Sequence, residues 1–171
     1  MGNAIDIERV IREMAAHILS LDLPKPLLVG IHTGGVWVAS HLQRELDISS
    51  RPGMLDISFY RDDFTRVGLH PEVRSSELPD PVEDRNVILV DDVLYSGRTV
   101  RAAMNEIFSY GRPARVVLAV LIERPGRELP IQPDIVGSRL VLDDNEQAKL
   151  THTDGILKLN IIRPGNTHEG T

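Results

Sequence analysis

The sequence predicts an α/β fold, a central and mostly parallel sheet flanked by helices, and two observations predict it. Leu27–Ile31, Val87–Val90 and Arg115–Ile122 are short, continuous apolar runs, the pattern of strands buried on both faces. Segments of helical periodicity stand between them, so strand, helix and strand alternate. That alternation implies parallel strands joined by right-handed crossover helices. The 171 residues, 42% of them hydrophobic and 26% charged, are enough for one domain spanning 1–171 with a sizeable core.

Ile7, Val10, Ile11, Met14, Ile18 and Leu21 recur at helical spacing, with Asn3 as the expected N-cap and Asp6 in the first turn. His17 lies beside this apolar stripe and reads as a packing or interface residue. Pro24 and Pro26 end the helix before the Leu27–Ile31 strand. His32–Gly35 reads as a loop, followed by a helix with Val36, Ala39, Leu42 and Leu46 on one side. Leu55, Ile57 and Phe59 alternate like a strand. Arg61–Arg85 is long, charged and without periodicity, as expected of a functional or disordered loop. Val87–Val90 is the next strand, Asp91–Gly97 a loop, and Val100, Ala103, Met104, Ile107 and Phe108 mark a helix stopped by Gly111 and Pro113. Arg115–Ile122 is the third buried strand and Gly155–Ile162 a final one. Residues 134–150 carry no clear pattern.

Composition narrows the function classes. With no cysteine, disulfides and thiolate metal sites are excluded, which suits a reducing cytoplasm. No apolar run is long enough to span a bilayer, and Met1–Ile7 lacks a signal-peptide pattern, so no membrane partner is expected. A net charge of −6 argues against generic nucleic-acid affinity, although a local basic face remains open. The histidines show no metal-ligand spacing.

The chemistry gathers between Val87 and Val100. A buried strand leads into Asp91, Asp92, Val93, Leu94, Tyr95, Ser96, Gly97, Arg98 and Thr99, at the carboxyl edge of a parallel sheet where such folds bind ligands. The two carboxylates can accept hydrogen bonds from a ribose diol, and they can favour Mg²⁺ directly or through water. Ser96, Gly97 and Thr99 open a helix, where unpaired N–H groups and the helix dipole attract an anion. Gly97 allows close approach of the backbone, and the hydroxyls add donors. Each part alone would be an ordinary strand, turn and capped helix; the joint pattern fits a phosphorylated ribose.

This segment resembles the phosphoribosyl pyrophosphate (PRPP) motif of type I phosphoribosyltransferases. More narrowly, Val90–Ala102 resembles the bifunctional pyrimidine operon regulator and uracil phosphoribosyltransferase family. Val29–Gly35, Asp56–Asp63 and Leu118–Ile131 agree with the same family, so the resemblance runs from the first helix to about Gly137. It implies a parallel sheet with a small hood and a flexible loop at about 61–85. It implies transfer of ribose 5-phosphate from PRPP to uracil, giving UMP and diphosphate, with Mg²⁺ held mainly through PRPP and water. Asp91 and Asp92 would hold the ribose hydroxyls and act as the catalytic acids of the site. Residues Val93 to Thr99 would complete the ribose and 5-phosphate subsite, with Tyr95–Thr99 as its cradle. Thr33, Gly34 and Gly35 would hold diphosphate, Tyr60 and Arg61 would open the flexible loop, and Ile122 and Arg124 would serve the base or nucleotide.

Two departures stand out. The family's diphosphate loop usually reads Thr-Arg-Gly; this chain has Thr33-Gly34-Gly35. The resemblance also implies a non-proline cis peptide near Thr33. The family's regulatory side uses a basic surface on leader mRNA, for which Arg9, Arg12 and Arg127 are the candidates here, and Pro125-Gly126 replaces the usual Gly-His. The expected product is therefore an enzyme, a cytoplasmic homodimer or higher homo-oligomer with a role in regulating pyrimidine genes. The alternative is a UMP- or UTP-sensing, RNA-binding attenuation regulator with weak or lost catalysis. A purine phosphoribosyltransferase would share the PRPP motif, but Tyr60–Asp63 and Arg127–Pro130 point to the pyrimidine family.

Overall fold

The computed structural model describes residues 4–57, 76–163 and 165. Helix α1 (Ile7–Ser20) leads into β1 (Pro26–Ile31), α2 (Gly34–Glu45) and the short β2 (Gly53–Leu55). Then come β3 (Asn86–Leu94), α3 (Arg98–Tyr110), β4 (Arg115–Glu123) and β5 (Ile135–Arg139). The strands β6 (Gln147–Thr153) and β7 (Ile156–Ile162) follow. Strands β1 to β5 form one parallel sheet in the order β2-β1-β3-β4-β5. The antiparallel hairpin β6–β7 stands outside it as a small second sheet.

Alternation along the buried strands divides the core in two. Leu28, Ile88, Val90, Val117, Ala119 and Leu121 join α1, α2 and the hairpin residues Leu150 and Leu157 on one face. Leu27, Val29, Val87, Leu89, Leu118 and Val120 meet α3 on the other. Such double coverage explains why these strands read as unbroken apolar runs.

Several expectations shift by a turn or a face. Asp6, not Asn3, caps α1, its Oδ1 accepting the Arg9 N–H at 3.1 Å. His17 is exposed rather than packed. Gly34 and Gly35 belong to the first turn of α2, and Val38 takes the buried place expected of Val36. On α3 it is Ala102 that is buried, while Phe108 is 53% exposed. The unreadable 134–150 stretch contains β5 and the start of β6. Phe59 and residues 61–75 of the expected loop lie outside the described residues. The described end of that loop runs along the sheet edge, where Met54 and Glu77 exchange backbone hydrogen bonds of 2.7 and 2.8 Å and Val82 is buried. Among the described residues, no helix is long and apolar enough to cross a membrane.

Candidate active site

The strand order creates the site. From β1 the chain crosses to β2 on one side, and β3 then returns to the other side of β1. The helices that follow β1 and β3 therefore diverge above neighbouring strands, and a crevice opens at their carboxyl ends. The turn after β1 carries Thr33–Gly35 and the turn after β3 carries Tyr95–Gly97, so the two sequence motifs meet at this switch point.

The first turn is built by close approach. The His32–Thr33 peptide is cis, as the resemblance implied. The His32 N–H is bonded to the Leu55 carbonyl at 2.9 Å, tying the turn to β2. A methyl group added at Gly35 would lie 2.5 Å from the Val90 carbonyl oxygen on β3. One added at Gly34 would overlap the Asp92 carboxylate. Gly34 is thus the floor on which that carboxylate rests.

The acids lie in the strand, not in a loop. The ladder to β4 continues through Asp91–Val120, Val93–Ile122 and Leu94–Glu123, which corrects the expected end of the strand at Val90. Because side chains alternate along a strand, Asp91 and Asp92 point to opposite faces. Asp92 is half-buried toward α2 and Gly34. Asp91, only 4% exposed, lies on the α3 side, where its Oδ1 accepts the Asp92 N–H at 2.9 Å. The Asp92 Oδ1 in turn accepts the Val93 N–H at 2.9 Å.

Past Leu94 the chain turns within three residues into α3. Gly97 has φ of 94°, a left-handed conformation that costs glycine little. The Ser96 hydroxyl oxygen accepts the Arg98 N–H at 3.2 Å. The first turn of α3 then presents Arg98, Thr99 and Val100, whose amides head the helix dipole.

Beside Tyr95 lies a cavity of about 440 Å³ lined by Leu94, Arg124, Arg127, Arg139 and Leu140 among others. The Arg124 guanidinium sits 4.6 Å from the centre of the Tyr95 ring, and among the described residues its buried Nε has no hydrogen-bond partner. Arg139 pairs with Glu123 at 2.9 Å on the rim. Ile122 is fully buried in the ladder between Val93 and Ser138 and packs in the core beside α1 and α2, so its side chain does not line this cavity. Tyr60 and Arg61 lie outside the described residues. The three candidate RNA contacts are not gathered in one depression. Arg127 lines the cavity by Tyr95, whereas Arg12 lines a separate cleft with Glu8, His41, Arg44 and Glu45. Arg9 is 3.9 Å from Glu13.

Residues that sequence reasoning missed are Gly126, Glu128 and Leu129. Gly126 abuts the Tyr95 ring, and the backbone of Glu128 and Leu129 reaches the Ser96 carbonyl. Backbone contacts of this kind leave no mark in side-chain pattern.

A crevice at the β1/β3 switch point, flanked by two acids and by two glycine-bearing turns that each open a helix, fits a phosphoribosyltransferase. Residues 3–154 match the phosphoribosyl transferase domain family, and the chain belongs to it. Within the family it is 56% identical over 157 residues to the bifunctional protein PyrR of Nitrosococcus oceani, covering 88% of this chain and 89% of that one. It is 53% identical over 144 residues to the bifunctional protein PyrR of Pseudomonas aeruginosa, covering 84% and 85%. Among solved structures, a hypoxanthine phosphoribosyltransferase from Staphylococcus aureus shares the fold with a TM-score of 0.64. It is 21% identical, over 82% of this chain and 78% of that one. A hypoxanthine-guanine-xanthine phosphoribosyltransferase matches with a TM-score of 0.61 at 20% identity, over 82% and 80% of the chains.

Proposed function

We propose that the chain transfers the 5-phosphoribosyl group of PRPP to uracil, forming UMP and diphosphate. The observation that carries this reading is the seating of the Asp92 carboxylate on Gly34, which joins an acid for ribose to a turn for diphosphate. In the reaction the bond from ribose C1 to the diphosphate oxygen breaks and a bond from C1 to uracil N1 forms. The N1 proton leaves to solvent. The sugar gains positive character as the diphosphate gains negative charge.

Asp91 and Asp92, one from each face of β3, hold the ribose hydroxyls and favour the developing positive charge. Thr33–Gly35 bind diphosphate through main-chain donors, and Tyr95–Thr99 bind the 5-phosphate at the start of α3. The Asp92 carboxylate fits a hard cation that keeps most of its waters, and it would hold Mg²⁺ directly or through water. When bound, Mg²⁺ neutralises charge on the diphosphate. The base occupies the cavity beside Tyr95. There the Arg124 guanidinium, lying over the Tyr95 ring, lines the cavity and offers N–H donors to a uracil carbonyl.

Incubation of the chain with PRPP, Mg²⁺ and either uracil, hypoxanthine or guanine tests the reading. UMP as the product, without IMP or GMP, is expected. A purine nucleotide in place of UMP would overturn it.

The word bifunctional in the relatives' name supports a second reading, regulation through leader mRNA. Arg9, Arg12 and Arg127 are its candidate contacts, within a homodimer or larger assembly. Gel shifts at rising salt test it: binding that weakens steeply with salt and with Arg12→Gln supports an RNA face.

A further inference from the structure

An anion-binding loop works only if its amides face the ligand and its carbonyls face elsewhere. In a trans peptide the C=O and the following N–H point in opposite directions. Whatever holds the carbonyl therefore aims the amide. In the turn after β3 the holder is a single neighbouring segment, residues 124–131.

The Arg124 N–H donates to the Leu94 carbonyl at 2.9 Å. The Glu128 and Leu129 N–H groups both donate to the Ser96 carbonyl, at 3.0 and 3.2 Å. Two donors on one acceptor leave the Ser96–Gly97 peptide little freedom to flip. The Tyr95 and Gly97 amides are thereby aimed away from the segment. Side chains repeat the attachment. Glu128 Oε2 accepts the Arg98 Nε–H at 2.8 Å. The Tyr95 ring is close both to the Arg124 guanidinium and to Gly126, where an added methyl group would overlap the ring. Gly97 packs against Leu129 and Ile131.

We propose that residues 124–131 act as a strap that sets the peptide orientation of the phosphate loop, with Glu128 and Gly126 as positioning residues for PRPP. Glu128 lies outside the lining of the cavity beside Tyr95, whereas Gly126 is part of it. Glu128 anchors Arg98, the first residue of α3, and so holds the loop against the strap when the phosphate arrives. Gly126 lets the strap pass close enough to Tyr95 for the backbone donors to reach. This inference rests on the PRPP reading above, and it adds residues that reading does not use.

Steady-state kinetics of Glu128→Gln and Gly126→Ala, beside PRPP binding by calorimetry, test it. Weakening of the half-exposed side-chain bond from Arg98 to Glu128 is expected to raise KM for PRPP about two- to fivefold. The value of kcat, KM for uracil and the unfolding midpoint of Glu128→Gln should stay near wild type, a split that general loosening of the fold would not produce. Unchanged PRPP affinity in folded Glu128→Gln overturns the proposal, even if Gly126→Ala fails to fold. Should wild type bind PRPP but make no UMP, the uracil reading fails, while calorimetry on the same variants still decides the strap.

Discussion

The turn after β1 and the turn after β3 face one crevice, and they reach their shapes by different routes. The first is shaped by subtraction: Gly34 and Gly35 lack side chains where Asp92 and the Val90 carbonyl press in. The second is shaped by attachment, with the carbonyls of Leu94 and Ser96 held by residues 124–131. The difference lies in what each can tolerate. Backbone against backbone cannot give way, whereas a turn held by hydrogen bonds has room beside it. At Gly97 an added methyl group would meet only side chains, at 3.5 and 3.6 Å.

Substitution separates the two routes most strongly at Gly35. Gly35→Ala places a methyl group against β3 backbone, and overpacking of this kind is expected to destabilise the fold by about 3 kcal/mol. Urea unfolding measures it, and a wild-type midpoint would show that α2 can move off the sheet. Gly97→Ala costs about 1–2 kcal/mol, from the left-handed backbone alone. If it proved worse than Gly35→Ala, the contrast between the turns would be reversed. Gly34→Ala meets the Asp92 side chain down to its Cβ, 2.8 Å away, so the carboxylate must swing aside and β3 must yield slightly, at a cost of about 1 kcal/mol in urea unfolding. Its UMP formation should fall about tenfold, equivalent to about 1.4 kcal/mol, because Asp92 loses its seat.

The smallest effect concerns the far side of α2. Burial pushes His41 below its ordinary value, helped by Arg44 and His152 and opposed by Glu8 and Glu45. The folded protein therefore binds fewer protons there than the unfolded chain, and stability falls as pH drops below 6.5 toward the folded value. In His41→Gln that fall should be shallower, read from thermal midpoints at several pH values.

The three buried parallel strands were legible because each is covered on both faces, which removes polar residues from the run. The same logic hid the rest of β3. Asp91 and Asp92 interrupt the apolar run, although the ladder passes through them to Leu94. Strand β5 is short, carries Gly137 and has only Ile135 fully buried, so it leaves no periodic trace. Strand β6 buries only Leu150. The acids and the Ser96–Thr99 turn were read as residue types at fixed spacing, and the Thr33–Gly35 turn only through the family resemblance. That Asp91 and Asp92 face opposite ways became visible only with the strand boundary. That Gly34 seats Asp92 needed the packing of α2 on β3. The role of residues 124–131 was invisible for a different reason: it is carried largely by main-chain donors, which any residue but proline provides.

The account depends most on the two acids at the switch point. The direct test is UMP formation from uracil and PRPP by wild type, Asp91→Asn and Asp92→Asn, with PRPP binding followed in parallel. The expected result is UMP from wild type and a loss of at least about a hundredfold in each variant, with the fold intact. Wild-type rates in both folded variants would contradict the account and move the chemistry away from this edge of the sheet.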